Sequence, residues 1–277
     1  SSERATGWSI EPGSSPASRR SMNDEFRRTV EFEKATAAAA STRHEDVGVG
    51  TLYVNSHLPG VWDRNFIRLD ERARGSSASD LAALADDLLR SAGAEHRKIF
   101  ATPPDIDEDT LEEFDDLGWN RTDLATMAHR DRSKLRVRNG VVELDVVSYI
   151  PFQSACVDAF PASDPKVKDQ LVSLVPLMAD HARARFFAVK DGDDIVSGCH
   201  LYSDGDVAQV EDVMTLEPYR KRGYAAAVVS RATREAIAAR HSLVFLIVEQ
   251  EGGARRLYEK LGFDTIGKTV ELAREPR

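Results

Sequence analysis

The sequence predicts a mixed α/β fold, a mostly antiparallel sheet flanked by helices, arranged as two successive units. Three observations carry this expectation. Strand-like alternation and helical spacing interleave along the whole chain in a helix, strand, strand, helix, strand, helix, strand order that recurs in both halves. Asp191-Gly192 and Asp204-Gly205 punctuate the apolar ladder of the second half as tight turns that return a strand antiparallel. The 277 residues also exceed one domain of about 100–200 residues.

Composition narrows the class. With 42% hydrophobic residues, 37 basic and 46 acidic side chains and a net charge of −9, the chain reads as an ordinary soluble globular protein and not as a nucleic-acid binder. Cationic partners fit this balance better than acidic ones. No window reaches the roughly 18 consecutive apolar residues of a membrane span, so the expectation is a cytoplasmic protein with no membrane partner. Cys156 and Cys199 are the only cysteines, in no zinc spacing, so no metal is expected.

Residues 1–21 mix Ser, Gly, Pro and charge and read as a flexible extension or tag. Asn23 or Asp24 offers a cap to a helix through residues 26–41, and Gly50–Asn55 and Phe66–Leu69 alternate as strands. Ser79 and Asp80 offer caps to a helix whose leucines at 81, 84 and 88 share a face and which stops at Gly93. A strand at Arg97–Thr102, a helix at 108–118 and a strand at 123–130 complete the first unit. The polar segment Asp131–Gly140 suggests a boundary near residue 134, dividing the chain into 22–133 and 134–277. The second unit opens on a strand-like 141–149, continues with helices over 151–160 and 167–185, and reaches the ladder 186–216. An Ala-rich helix from Gly223 to Arg240, the apolar strand Leu243–Glu249, a helix at 254–262 and a strand at Phe263–Leu272 follow.

The stretch Val207–Ala226 is the most informative. A strand ends in Pro218 and in the basic loop Arg220-Lys221-Arg222-Gly223, which opens directly into a helix. Glycine lets backbone amides turn inward, the unpaired amides of a helix start attract anions, and three cations in an acidic protein reinforce them. A pyrophosphate suits this cradle, whereas a solvated turn would account for the glycine alone.

Downstream, one helix and one strand later, stands Ala254-Arg255-Arg256-Leu257-Tyr258-Glu259-Lys260-Leu261-Gly262-Phe263. The succession of strand, RxxGxA loop (Arg220, Gly223, Ala225), helix, strand and AxxLYxxxGF resembles the GNAT superfamily of acyl-CoA-dependent N-acyltransferases. The pattern covers residues 186–270, and 141–277 with the preceding helices. Ala225 stands where many relatives have glycine, and Glu251 where an asparagine often precedes the last helix. The resemblance implies acetyl-CoA as co-substrate. Val213, Met214 and Thr215 would present backbone groups to pantetheine, and Arg220, Lys221, Arg222, Gly223, Tyr224, Ala225 and Ala226 would hold the pyrophosphate. Tyr258 would protonate the departing thiolate; the alternative is a packed tyrosine.

An amine acceptor arrives protonated and needs a base. Glu211, on the strand of the cofactor-binding backbone, resembles the Glu-Asp pair of some polyamine-acetylating relatives, and Asp212 is expected on the opposite face by strand alternation. A surface carboxylate paired with an arginine is the alternative for Glu211. Cys199 and His200 are sequence neighbours on a strand and so cannot form a thiolate-base pair, and Cys156 reads as helix packing.

The first unit resembles a degenerate second GNAT-like domain. Leu111–Trp119 echoes the AxxLYxxxGF helix with Phe114 for tyrosine, and Arg72–Ser77 imitates the basic loop but runs into serines. Pro59–Asn65 reads either as a polar aromatic loop lining an acceptor pocket or as a surface turn with Trp62 packed. Asp105–Asp116 reads as a solvated helix face. The function expected is transfer of an acetyl group from acetyl-CoA to a primary amine by direct attack in a ternary complex; the alternatives are a CoA-binding sensor or scaffold and a protein-lysine acetyltransferase.

Overall fold

The computed structural model describes residues 16–136, 138–159 and 164–275, so most of the proposed extension lies outside the described residues. Helix α1 (Pro16–Ala39) already includes the end of that extension and starts before either proposed cap. Eleven strands form one sheet among the described residues. From the first half come β1 (Arg43–Asp46), β2 (Gly50–Val54), β3 (Phe66–Leu69), β4 (Arg97–Ala101) and β5 (Asn120–His129). From the second come β6 (Val141–Leu144), β7 (Arg185–Asp191), β8 (Asp194–Asp204), β9 (Val207–Thr215), β10 (Leu243–Glu249) and β11 (Phe263–Arg274). Their order is β1-β2-β3-β4-β11-β5-β10-β9-β8-β7-β6. Every pair is antiparallel except β3 with β4 and β9 with β10.

The remaining helices are α2 (Ala78–Ser91), α3 (Glu108–Asp116), α4 (Val146–Asp158), α5 (Pro165–His181), α6 (Tyr224–Ala238) and α7 (Gly253–Lys260). Two local expectations are corrected by side-chain chemistry, and one strand was not expected at all. Helix α2 is capped by Ser77, whose hydroxyl accepts from the Asp80 amide, instead of by Ser79 or Asp80. The strand expected over 141–149 ends at Leu144, because Asp145 caps α4 by accepting from the Ser148 amide and so turns Val146 and Val147 into helix. Strand β1 is exposed along its whole length and carries no apolar alternation to reveal it.

The order of the sheet contains an exchange. Strand β11 lies between β4 and β5, and β5 lies between β11 and β10. The core of the first half therefore includes Val270 and Leu272 of β11, and that of the second half includes Ala125 and Met127 of β5. Each half's core is thus completed by a strand of the other half. Helix α1 seals the exchange from one face. Phe32 packs edge-on against Phe245 of β10 at 5.5 Å, and Ala37 reaches Tyr53 and Phe66 in the first half. Apolar side chains on successive residues of β10 point alternately to α1 and α5 and to α6, which accounts for its uninterrupted hydrophobic run.

Candidate functional site

Strands β9 and β10 run parallel only while Val207–Gln209 faces Leu243–Phe245. Beyond that point β10 continues along β5 and β9 along β8, so a wedge opens between them. Glu211 stands where the strands have just parted. Next to it the register against β8 slips: Glu211 opposes His200 but Met214 opposes Gly198, leaving Asp212 and Val213 opposite Cys199 alone. This is a β-bulge, and Asp212 adopts a φ of 49° to make it. Aspartate tolerates that left-handed conformation better than most residues.

The bulge overturns the expectation that alternation sends Asp212 to the other face. Its Oδ2 lies 3.2 Å from His200 Nδ1, on the face that His200 shares with its direct partner Glu211. His200 is fully buried, and its Nδ1 also lies 3.2 Å from the Tyr202 hydroxyl. Phe186 and Tyr149 pack edge-on against the imidazole, and Nε2 has no hydrogen-bond partner among the described residues. Cys199 points the opposite way into the core with Phe187 and Val228, so the pair is indeed separated by the sheet. Burial pushes the Cys199 thiol up, and the Cys156 thiol up to about 12, which leaves neither an effective nucleophile.

The two carboxylates differ in ionisation. Burial raises the Glu211 carboxyl well above the ordinary range, and the neighbouring charges of Asp212, Glu33 and Asp63 push in the same direction. Burial also works to raise Asp212, but the charge and hydrogen bond of His200 outweigh it and the net shift is downward. Such divergence favours the protonated form at Glu211 and the ionised form at Asp212. Glu211 accepts one hydrogen bond, from Gln209 Nε2 at 3.2 Å, and pairs with no arginine among the described residues.

Tyr258 comes from α7 and is 7% exposed in the cluster that holds Cys199, Val210 and Tyr224. Its ring meets Phe263 edge-on at 6.2 Å. Burial raises its phenol, followed by the charge of Glu211, so the hydroxyl keeps its proton.

The basic loop closes the other end of the wedge. Lys221 and Gly223 both have positive φ, 62° and 80°, a pattern that turns consecutive amides to one side. None of the amides of Lys221, Arg222, Gly223, Tyr224, Ala225 and Ala226 bonds a backbone carbonyl among the described residues. A pyrophosphate therefore fits. Arg220, Lys221 and Arg222 are exposed, Tyr224 is buried, and Ala225 and Ala226 are half-buried. Arg220 Nε donates to the Thr215 carbonyl at 3.2 Å and Ser197 Oγ to the Met214 carbonyl at 2.9 Å. Two of the strand carbonyls expected to meet pantetheine thus already have protein donors. Arg138 was missed by sequence reasoning: its guanidinium lies 4.4 Å over the Tyr224 ring and donates to the Arg222 carbonyl at 3.0 Å. Together with Arg136, Lys260 and Leu257 it lines a cleft of about 560 Å³ that includes Gly223. The basic residues at 134, 136 and 138 were the available signal, read only as a polar linker.

The imitation loop of the first half is built differently. Gly75 has a φ of 78° like Gly223, but Ser77 caps the helix behind it and Glu113 Oε2 accepts from the Ala78 amide at 3.3 Å. The protein's own oxygens occupy that helix start, and Phe114 is fully buried in the core.

The site thus combines a wedge between parallel strands, a bulged acidic strand and a bare-amide cradle. Residues 152–263 match the Acetyltransferase (GNAT) family and form a GNAT domain, and the chain as a whole has a tandem GNAT fold. No curated protein matches the chain. Among solved structures it is similar to a conserved protein of unknown function from Staphylococcus epidermidis, with TM-score 0.66, 13% identity, and coverage of 84% of this chain and 93% of that one. A GCN5-related N-acetyltransferase from Kribbella flavida gives 0.57 and 16% over 94% and 95%. A tandem GNAT protein from the clavulanic acid biosynthesis pathway gives 0.51 and 13% over 84% and 81%. At these identities the likeness is one of fold.

Proposed function

We propose that the protein is an N-acetyltransferase that moves an acetyl group from acetyl-CoA to a primary amine by direct attack in a ternary complex. The observation that carries this reading is the bulge that puts Glu211 and Asp212 on one face where β9 and β10 part, on the strand that leads into the bare amides of Lys221–Ala226.

The free amides from Lys221 to Ala226 hold the pyrophosphate, with Arg220, Lys221 and Arg222 as counter-charge. The Val213–Thr215 backbone borders the pantetheine arm. Asp212, 42% exposed and oriented by His200, receives the acceptor's ammonium, and the ionised form of Glu211, which grows as pH rises through its raised pKa, accepts the proton that must leave before attack. The amine nitrogen then bonds the thioester carbonyl carbon. As the tetrahedral intermediate collapses, the carbon–sulfur bond breaks, Tyr258 protonates the thiolate, and the second excess proton of the nitrogen restores the Tyr258 phenol, leaving the proton on Glu211 to be released. Amide and free thiol are the products, and one net proton is released.

The test is thiol release from acetyl-CoA against a panel of primary amines, with acetyl-CoA binding measured in parallel. Turnover with at least one amine supports the reading. Tight acetyl-CoA binding with no thiol release from any amine contradicts it.

A further inference from the structure

The loop from Pro59 to Asn65 belongs to the first half but is docked on the second. Gln170 of α5 accepts from the Gly60 amide at 2.8 Å, and Leu58 and Val61 pack against Leu174 and Leu177 of α5. Leu177 also touches the cluster of Tyr202, whose hydroxyl meets the imidazole that holds Asp212. The loop therefore presents its short helical turn, Trp62–Arg64, to the acceptor side of the wedge.

The charges there sort themselves by partner. Glu33 is matched by Arg68 at 3.2 Å, and Asp63 by Lys98, which also holds Glu271 at 3.0 Å. Arg64 has no such match. No carboxylate of the described residues lies within ion-pair distance of it, Nη1 donates only to the Asp63 carbonyl at 2.9 Å, and its Nε is buried without a partner. Its charge nevertheless acts on Glu211, Asp212 and Tyr202. Once the fixed pairs are set aside, one guanidinium is left near enough for its charge to act on two carboxyl groups, which together complement a zwitterion. A buried donor without a partner is costly unless a ligand supplies one.

Resting on the acyl-transfer reading above, we infer that Arg64 is a specificity-determining residue contributed by the first half: it binds a carboxylate of the acceptor, so that the substrate class is amines that also carry a carboxylate, as amino acids do.

The experiment measures kcat/KM, by thiol release from acetyl-CoA, on amino acids and on the amines left when their carboxylate is removed: lysine with cadaverine, phenylalanine with phenethylamine, alanine with ethylamine. Wild type, Arg64→Gln and Arg64→Lys are compared, with thermal melting and acetyl-CoA affinity as checks on folding. Wild type should prefer the amino acid of at least one pair. Arg64→Gln should reduce that preference roughly 10- to 100-fold, through KM, and Arg64→Lys should restore part of it. If Arg64→Gln does not fold, the wild-type preference and its partial loss in Arg64→Lys decide the matter. Turnover in which the carboxylate-free amines are used equally well, or a preference untouched by either substitution, overturns the inference alone. Acetyl-CoA binding with no turnover of any member overturns the acyl-transfer reading and this inference with it.

Discussion

At the residue scale the proposed division of labour between Glu211, Asp212 and Tyr258 makes separable predictions. Glu211 carries a raised pKa, so above its unfolded value of about 4.3 the folded state holds a proton that the unfolded chain has released. Stability contributed at that site is present at low pH and lost as pH rises through the folded pKa. Glu211→Gln should therefore match wild type in thermal stability near pH 4 and exceed it increasingly towards pH 8, in melts monitored by circular dichroism. The same substitution should remove the carboxyl-dependent rise of kcat/KM with pH. Tyr258→Phe keeps the ring in its packing against Phe263 and deletes one hydroxyl. Acetyl-CoA affinity should stay the same while the single-turnover rate falls about 10²–10⁴-fold; an unchanged rate would assign the proton to water. Tyr258 and Glu211 could be proposed from the sequence because each sits in a stretch that resembles the family. The position of Asp212 was not, because alternation predicts its face only while the register holds and nothing in the residue string marks a bulge except aspartate's tolerance of positive φ.

At the element scale the junction of β9, loop and α6 is the decisive one. Gly223 at φ 80° has only Arg138 Nη1, 4.0 Å away, near the space a Cβ would fill, so substitution costs backbone strain of about 1–2 kcal/mol without a clash. Gly223→Asp adds a negative charge to the cradle and should weaken acetyl-CoA binding severely in calorimetry. Gly205→Asp, with a φ of 56° at a distant open turn, imposes comparable strain and should leave that affinity intact. Equal effects from both would mean that strain and not anion repulsion is responsible. Sequence reasoning found this element because glycine, cations and a helix start coincide within a few residues. It missed Arg138, which reaches the cradle only through the tertiary fold.

At the scale of the whole molecule the exchanged strands matter most. The first core is completed by Val270 and Leu272 and the second by Ala125 and Met127, and Arg274 of β11 pairs with Asp86 of α2 at 2.6 Å. The fragments 22–133 and 134–277 should each fail to give a cooperative melt alone, whereas the intact chain should unfold in one transition by both calorimetry and circular dichroism. Two independent transitions would refute the coupling. The repeated order of elements was readable from periodicity. The exchange was not, since pairing between strands far apart in sequence depends on which edges remain open after the local hairpins form.

The contrast between the halves also fixes how many cofactor sites the molecule should have. The cradle at Gly223 offers bare amides, while the equivalent helix start is covered by Ser77 and Glu113. Titration of acetyl-CoA into the intact protein by isothermal calorimetry measures this directly. A single site per chain, abolished by Gly223→Asp, is the result expected; two sites per chain, or binding that survives that substitution unchanged, would contradict it.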